Sequence, residues 1–196
     1  FRRQQELGIV PPGTRLADSD AAVKPWDQLP DEDRALFARH MEVYAAMLDC
    51  VDQNVGKLTA FLEATGELDN TLIVYTSDNG GTFAGGPVGA FRNNRRYSGL
   101  PAQPIEVERR DMDLLGTPHS EALYPLGWGQ VCNTPFPSSK TYTGGGGRRV
   151  SFVISWPAKL KDFGAIRTQF AHVTDVKPTL LELAGLRTLE IGRAHV

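Results

Sequence analysis

Residues Thr71–Gly81, TLIVYTSDNGG, constrain the fold more than any other stretch of the chain. A β-branched, apolar run reads as a buried strand, and it stops abruptly at Asp78-Asn79 before two glycines. In a mainly parallel α/β sheet, ligands gather at the carboxyl ends of the strands. Asp78 offers a carboxylate and Asn79 an amide carbonyl, hard oxygen donors of the kind that Ca²⁺ or Mg²⁺ takes. Gly80 and Gly81 let the backbone turn tightly beneath them. The same letters also describe an Asx-type turn closing an ordinary strand, so the motif alone leaves both readings open.

The flanking pattern supports an α/β class. Phe37, Met41, Tyr44, Leu48, Val51, Val55, Leu58 and Leu62 recur at spacings of three and four, which predicts an amphipathic helix of about eight turns. Asp31–Asp33 places acids where the helix dipole favours them, and Gly66 is the expected stop. The strand Leu72–Thr76 follows, and helix then strand is half of a βα repeat. Upstream, Phe1–Pro30 carries Pro11, Pro12, Pro25 and Pro30 and reads as an irregular connection wrapping a core, with Trp26 as an anchor. Downstream, Thr82–Thr134 lacks clean periodicity; a loop of that length is functional or disordered. Within it, Glu106–Asp113 is expected to form a short solvated helix. Ser138–Tyr142 is a turn before the tract Gly144–Gly147, and Val150–Trp156 is a second buried strand ended by Pro157. Val173, Val176, Leu180 and Leu183 mark a second amphipathic helix, closed by Gly185. No internal repeat is visible.

Composition bounds the partners. The 196 residues suit one domain or part of one, at 41% hydrophobic and 22% charged. A net charge of −2 gives no reason to expect nucleic acid or an anionic membrane as partner. No apolar run approaches the roughly 20 residues of a membrane span. Cys50 is expected as a small buried hydrophobe on the long helix, and two cysteines leave the redox compartment open. The compartment itself is not legible. The chain starts at Phe1. Its last residues, IGRAHV, can be encoded by ATCGGAAGAGCACACGTC, which resembles a sequencing adapter read in one frame. Residues 190–196 are therefore expected to be an adapter-derived tail.

Other chemistry-bearing residues read modestly by themselves. Lys140 precedes a glycine-rich turn and can set a positive charge over an anion, or be a solvated surface lysine. The glycine tract is not a P-loop, since the lysine lies before it and no GKS or GKT follows. Arg148 and Arg149 either assist an anion or solvate a strand entrance. His40 lies beside the main apolar stripe and reads as structural. His119 sits in a polar loop, His172 at a helix cap, and Asp175 in that helix's first turn. No HxH or HExxH pair suggests zinc. Ser77 lacks a GxSxG elbow.

Four segments in order resemble the carboxyl-side part of the catalytic domain of bacterial arylsulfatases. They are HMEVYAAMLDCVDQNVGKLTAFLEATGELDNTLIVYTSDNGG, AGGPVGAFRNN with YPLGWGQVCNTPF, KTYTGGGGRRVSFVISWP, and HVTDVKPTLLELAG. The resemblance covers about residues 5–189 and rests on order and spacing rather than on one motif. It implies an alkaline-phosphatase-like α/β sandwich with a mainly parallel central sheet flanked by helices, of which residues 1–189 would be one part. It implies hydrolysis of a small-molecule sulfate ester. The nucleophile would be a hydrated formylglycine, made by a maturation enzyme from a Cys-x-Pro-Ser-Arg cysteine. One hydroxyl attacks sulfur and the alcohol leaves; the other then helps to eject sulfate. A divalent cation, Ca²⁺ with Mg²⁺ possible, polarises the sulfate oxygens. On this chain, Asp78 and Asn79 match a pair of metal ligands. Lys140 matches a lysine that contacts the sulfate and the departing oxygen, where its charge stabilises the transition state.

The departures are specific. The sequence has no Cys-x-Pro-Ser-Arg, since Cys50 precedes Val51-Asp52 and Cys132 precedes Asn133-Thr134. The amino-terminal Asp pair is also absent, and Ser151 stands where many relatives have Pro. By itself the chain is expected to hold about half of an active site, to be inactive, and to be poorly stable because its apolar faces lack partners. The rival readings are a phosphonate monoester or phosphodiester hydrolase of the same superfamily, and a non-catalytic relative. The long loop Thr82–Thr134 is expected to shape the substrate entrance, with Tyr124 and Trp128 as candidate contacts.

Overall fold

A computed structural model describes residues 1–186, which divide into two compact units, one of Phe1–Lys161 and one beginning at Asp162. The tail expected at 190–196 lies outside the described residues.

The first unit opens with a short helix, α1 (Arg2–Glu6), and an irregular segment containing one 3₁₀ turn at Trp26–Gln28. That segment does wrap: Gln4 Nε2 donates to the Thr134 carbonyl (3.0 Å), and the Ala17 amide to the Pro135 carbonyl (3.0 Å). Trp26 is half exposed, but its ring lies 5.5 Å from that of Trp128. Helix α2 (Asp31–Ala64) follows, with Asp31, Glu32 and Asp33 in its first turn. Its 34 residues span about 51 Å. Gly66, at φ 74°, turns the chain out of the helix. Strand β1 (Ile73–Thr76) comes next.

The stretch between the strands is more structured than its sequence suggests. It contains α3 (Asn94–Tyr97), α4 (Ile105–Arg110), a 3₁₀ turn at Met112–Leu114, and α5 (Leu126–Cys132). A bridge pairs Ala90 with Leu123, and a second joins Arg92 to Glu121. Periodicity is invisible here because each short element contributes only one or two core residues. Phe91 and Leu115 join Leu36 and Phe37 of α2 in the buried core, packed around by Leu29, Val43, Val88, Ile105 and Met112. Helix α4 is not simply solvated, since Glu108 is buried and Arg109 grips α2. The Arg109 guanidinium donates to Asp33 Oδ1 at 2.8 and 2.6 Å and pairs with Glu32 at 2.9 Å. Arg39 Nη2 reaches across to the Leu115 carbonyl at 3.0 Å.

After α6 (Gly145–Arg148) comes β2 (Phe152–Ser155), which pairs with β1 from Thr76↔Phe152 to Ile73↔Ser155. The pairing is antiparallel, so the expected mainly parallel sheet is not what the described strands form. The cause is local. The excursion between the strands leaves and returns at the same end of β1, where the Gly80 amide donates to the Gly147 carbonyl (3.0 Å) and Thr76 Oγ1 to the Ser151 carbonyl (3.0 Å). A chain that comes back to the point it left must run the other way. The expected burial of the second strand also fails: Phe152, Val153 and Ile154 are exposed. Cys50 is likewise exposed rather than buried, because the part of α2 that carries it has no covering layer among the described residues.

The second unit contains α7 (Val173–Leu183). His172 and Asp175 form a reciprocal cap: the Thr174 amide donates to the His172 ring (3.3 Å), and the His172 amide to Asp175 Oδ2 (2.8 Å). Both residues thus serve as helix-terminus groups, as their positions suggest. Gly185, at φ 71°, follows the last turn.

Candidate functional site

The loop after β1 is built to present two oxygen donors. Ser77 Oγ donates to the Asn79 carbonyl (2.8 Å), curling the chain back on itself. Asn79 Nδ2 donates to the Gly80 carbonyl (2.9 Å), which fixes the amide and leaves its Oδ1 without a hydrogen bond among the described residues. Asp78 is exposed, and its carboxylate has no ion pair or hydrogen bond among the described residues. An unpaired carboxylate beside a free amide oxygen fits a hard divalent cation. Two protein donors fall short of the six to eight oxygens that Ca²⁺ takes. Among the described residues no group of three or more His, Cys, Asp or Glu side chains could hold a metal by itself.

Lys140 is brought against this loop through the backbone. Its amide donates to the Gly81 carbonyl (3.0 Å), two residues beyond Asn79. Its side chain is exposed and unpaired among the described residues. Ser138 (φ 71°) and Thr141 (φ 79°) flank it in the left-handed region. Non-glycine residues pay about 1–3 kcal/mol there, and such strain persists only where surrounding contacts over-determine it.

The glycines explain why these segments can approach so closely. A Cβ on Gly80 would fall within the carbonyl oxygen of Gly146, one on Gly146 within that of Ser138, and one on Gly147 within those of Tyr142 and Ser139. The tract at 144–147 therefore serves close backbone packing between the donor loop and the lysine loop. Arg149 turns its guanidinium onto the Phe136 ring, 4.8 Å from the centroid, and Arg148 is exposed.

Two residues have parts that the sequence did not reveal. Asn133, buried at 5% exposure, accepts from the Gly81 amide (2.6 Å) and donates to the carbonyls of Gly81 (3.0 Å) and Ser138 (3.1 Å). Tyr124 accepts from the Thr82 amide (3.1 Å) and sets its ring edge-on to Tyr44, 5.1 Å away. Burial pushes its phenol up to about 12, so it stays a neutral strut. Tyr124 is thus buried scaffold rather than an exposed substrate contact. Trp128 donates from Nε1 to the Phe37 carbonyl of α2 (2.8 Å), which makes it a packing residue too. Only the quoted segment YPLGWGQVCNTPF hinted at either, and nothing in it separates a strut from a neighbour. The remaining histidines stay apart from the loop: His119 is exposed beside Arg92, Arg95 and Glu121 in a shallow cleft, and His40 is buried under Gly89.

The sequence model of a family described as Sulfatase matches residues 11–186. An uncharacterised sulfatase of Schizosaccharomyces pombe is 34% identical over 94% of this chain, and an arylsulfatase of Klebsiella aerogenes is 33% identical over 94%. An N-acetylglucosamine-6-O-sulfatase of Bacteroides thetaiotaomicron is 42% identical over 36% of the chain. The chain belongs to the sulfatase family, whose domain has an alkaline-phosphatase-like α/β fold. It spans 32% and 38% of the lengths of the first two relatives, and 12% of the third. Among the described residues no helix is long and apolar enough to cross a membrane.

Proposed function

We propose that residues 1–189 are the carboxyl-side part of a sulfatase catalytic domain that hydrolyses sulfate esters, aryl sulfates foremost, to an alcohol and inorganic sulfate. The observation that carries this reading is the backbone bond from Lys140 to Gly81, which joins the lysine loop to the donor loop. Asp78 and Asn79 would hold a divalent cation, Ca²⁺ or Mg²⁺, together with ligands from the rest of the complete protein. The cation supplies Lewis-acid polarisation of the sulfate oxygens. The nucleophile would be a formylglycine supplied from outside these residues and made by a maturation enzyme.

The chain's own part is positional and electrostatic. Asp78 brings the negative charge that makes a cation site affordable, and Asn79 adds a neutral oxygen with its other amide atom already tied down. Lys140 Nζ, unpaired among the described residues, is free to bind the sulfate group and to stabilise charge on the departing oxygen. Because the lysine's backbone is bonded to the donor loop, its ammonium is kept within a side chain's reach of that loop before substrate arrives. The 196-residue chain by itself is expected to be inactive.

The test is to assay the complete protein on matched aryl sulfate and aryl phosphonate esters. Faster sulfate release supports this reading. Preference for the phosphonate would move the protein to its neighbour in the superfamily, and hydrolysis of neither would make it a non-catalytic relative.

A further inference from the structure

We infer that Asn133 is a positioning residue that sets the spacing between the Asp78-Asn79 loop and Lys140. The inference rests on the assignment of those three residues to one site. Asn133 closes α5, outside both loops, yet its side chain bonds to each. Its Oδ1 accepts from the Gly81 amide (2.6 Å), and its Nδ2 donates to the Gly81 carbonyl (3.0 Å). One carboxamide thereby grips both polar atoms of one residue, as a neighbouring strand would. The second proton of Nδ2 goes to the Ser138 carbonyl (3.1 Å), two residues before Lys140.

The Gly81 carbonyl is the shared point. It accepts from Asn133 Nδ2 and from the Lys140 amide, both at 3.0 Å. Asn133 therefore holds the acceptor that holds the Lys140 amide, and it also holds the strained residue two positions before the lysine, Ser138 at φ 71°. Three of the carboxamide's hydrogen-bonding opportunities are used on these two loops, in a position only 5% exposed. No other residue type of that size both donates twice and accepts in this arrangement. Aspartate has the shape but would set a carboxylate oxygen against two carbonyl oxygens. Alanine would leave the Gly81 amide and both carbonyls short of a partner. The space is also closed to substitution from the other side, since a Cβ on Gly81 would meet Asn133 Oδ1 at 3.2 Å and Cys132 Cβ at 3.1 Å.

The role separates from bulk stability in a predictable way. Asn133 belongs neither to the buried cluster of Leu36, Phe37, Phe91 and Leu115 nor to the β1–β2 pairing, so loosening it should free the lysine loop while both persist.

The experiment has two readouts. Amide hydrogen exchange on the complete protein compares the native form with Asn133→Ala and with Asn133→Asp. Protection at Gly81 and Lys140 is expected to fall at least about tenfold while the hydrogen-bonded amides of the β1–β2 pair keep theirs. Unchanged protection at Lys140, or equal loss across the β1–β2 pair in both variants, overturns the inference. The complete protein then gives a double-mutant cycle on sulfate-ester turnover. Asn133→Ala should lower kcat in the native background and have little further effect in a Lys140→Ala background. Effects that simply multiply would mean that Asn133 does not act through Lys140. If the complete protein hydrolyses no sulfate ester, the functional assignment fails by itself, and the exchange data still decide whether Asn133 couples the two loops.

Discussion

The two halves of α2 carry the same apolar periodicity and meet opposite surroundings. Near its start, Leu36 is fully buried and Phe37 is 8% exposed, sealed by Phe91, Leu115 and the segment around them. Near its end, Leu58 is 54% and Phe61 63% exposed, with Met47, Leu48 and Val51 also open to solvent. Both faces of the β1–β2 pair show the same nakedness, at Tyr75 and Val153 on one and at Ile154 on the other. An amphipathic stripe specifies that a face should be covered; it does not specify by what. The first half finds its cover within the chain, in the excursion between the strands. The second half is a surface ready for structure that these residues do not supply, in keeping with a chain spanning about a third of its relatives.

The sharpest way to break this contrast is paired truncation. Phe91→Ala should cost about 3–5 kcal/mol of unfolding free energy, as for a large aromatic removed from a packed core. Phe61→Ala should fall within about 0.5 kcal/mol, the range of surface changes. Urea unfolding of both variants measures the difference, and equal losses would mean that the far half of α2 is packed after all.

A slightly smaller effect should come from pH, again confined to the packed half. His40 is 2% exposed, neither ring nitrogen has a hydrogen-bond partner among the described residues, and burial lowers its pKa to about 4. The unfolded chain takes up the proton from about pH 6.5 downward, whereas the native state resists it until about pH 4. Stability associated with His40 is therefore intact above pH 6.5, drains away as pH falls toward 4, and levels off below. The maximum loss is about 3 kcal/mol. Glu108 acts in the opposite sense: burial raises its pKa, so the native state gains protons more readily than the unfolded chain as pH falls. Comparing the urea midpoint between pH 7 and pH 4.5 in the native chain and in His40→Leu isolates the histidine, because the variant should show a visibly flatter profile.

Gly80→Ala probes the site loops rather than the core. The added methyl would collide with the Gly146 carbonyl, a backbone atom that cannot swing aside. Overpacking of this kind costs about 1–3 kcal/mol, and the amides of Gly81 and Lys140 should lose protection with it. The smallest effect is expected from Lys140→Ala, whose exposed side chain makes no hydrogen bond or ion pair among the described residues; thermal melting should stay within about 0.5 kcal/mol of the native protein.

The long helix, both short strands, the capped helix α7 and the turns after β1 and before Gly144 are legible because each rests on local signals: period, capping groups, or a strand ending in Asp-Asn-Gly. The layer over α2 was not. Phe91, Leu115 and Tyr124 are single buried residues on short or irregular elements, so no period marks them. Strand direction was hidden as well, since it depends on where a long excursion returns. The expected burial of Cys50 and of Phe152–Ile154 fails for a related reason: apolar sequence reports a demand for cover that the described residues leave unmet. Asn133 stood in a segment already noticed, but its three bonds depend on tertiary placement that spacing cannot encode.

The most direct measurement is sulfate release from an aryl sulfate by the complete protein carrying Asp78→Ala, Lys140→Ala or, as a control, Arg148→Ala. Losses of about 10²–10³-fold in kcat for the first two, with Arg148→Ala near the native rate, are what a shared metal and sulfate site requires. Native-like turnover in Asp78→Ala or Lys140→Ala would contradict it, however well those residues fit the family.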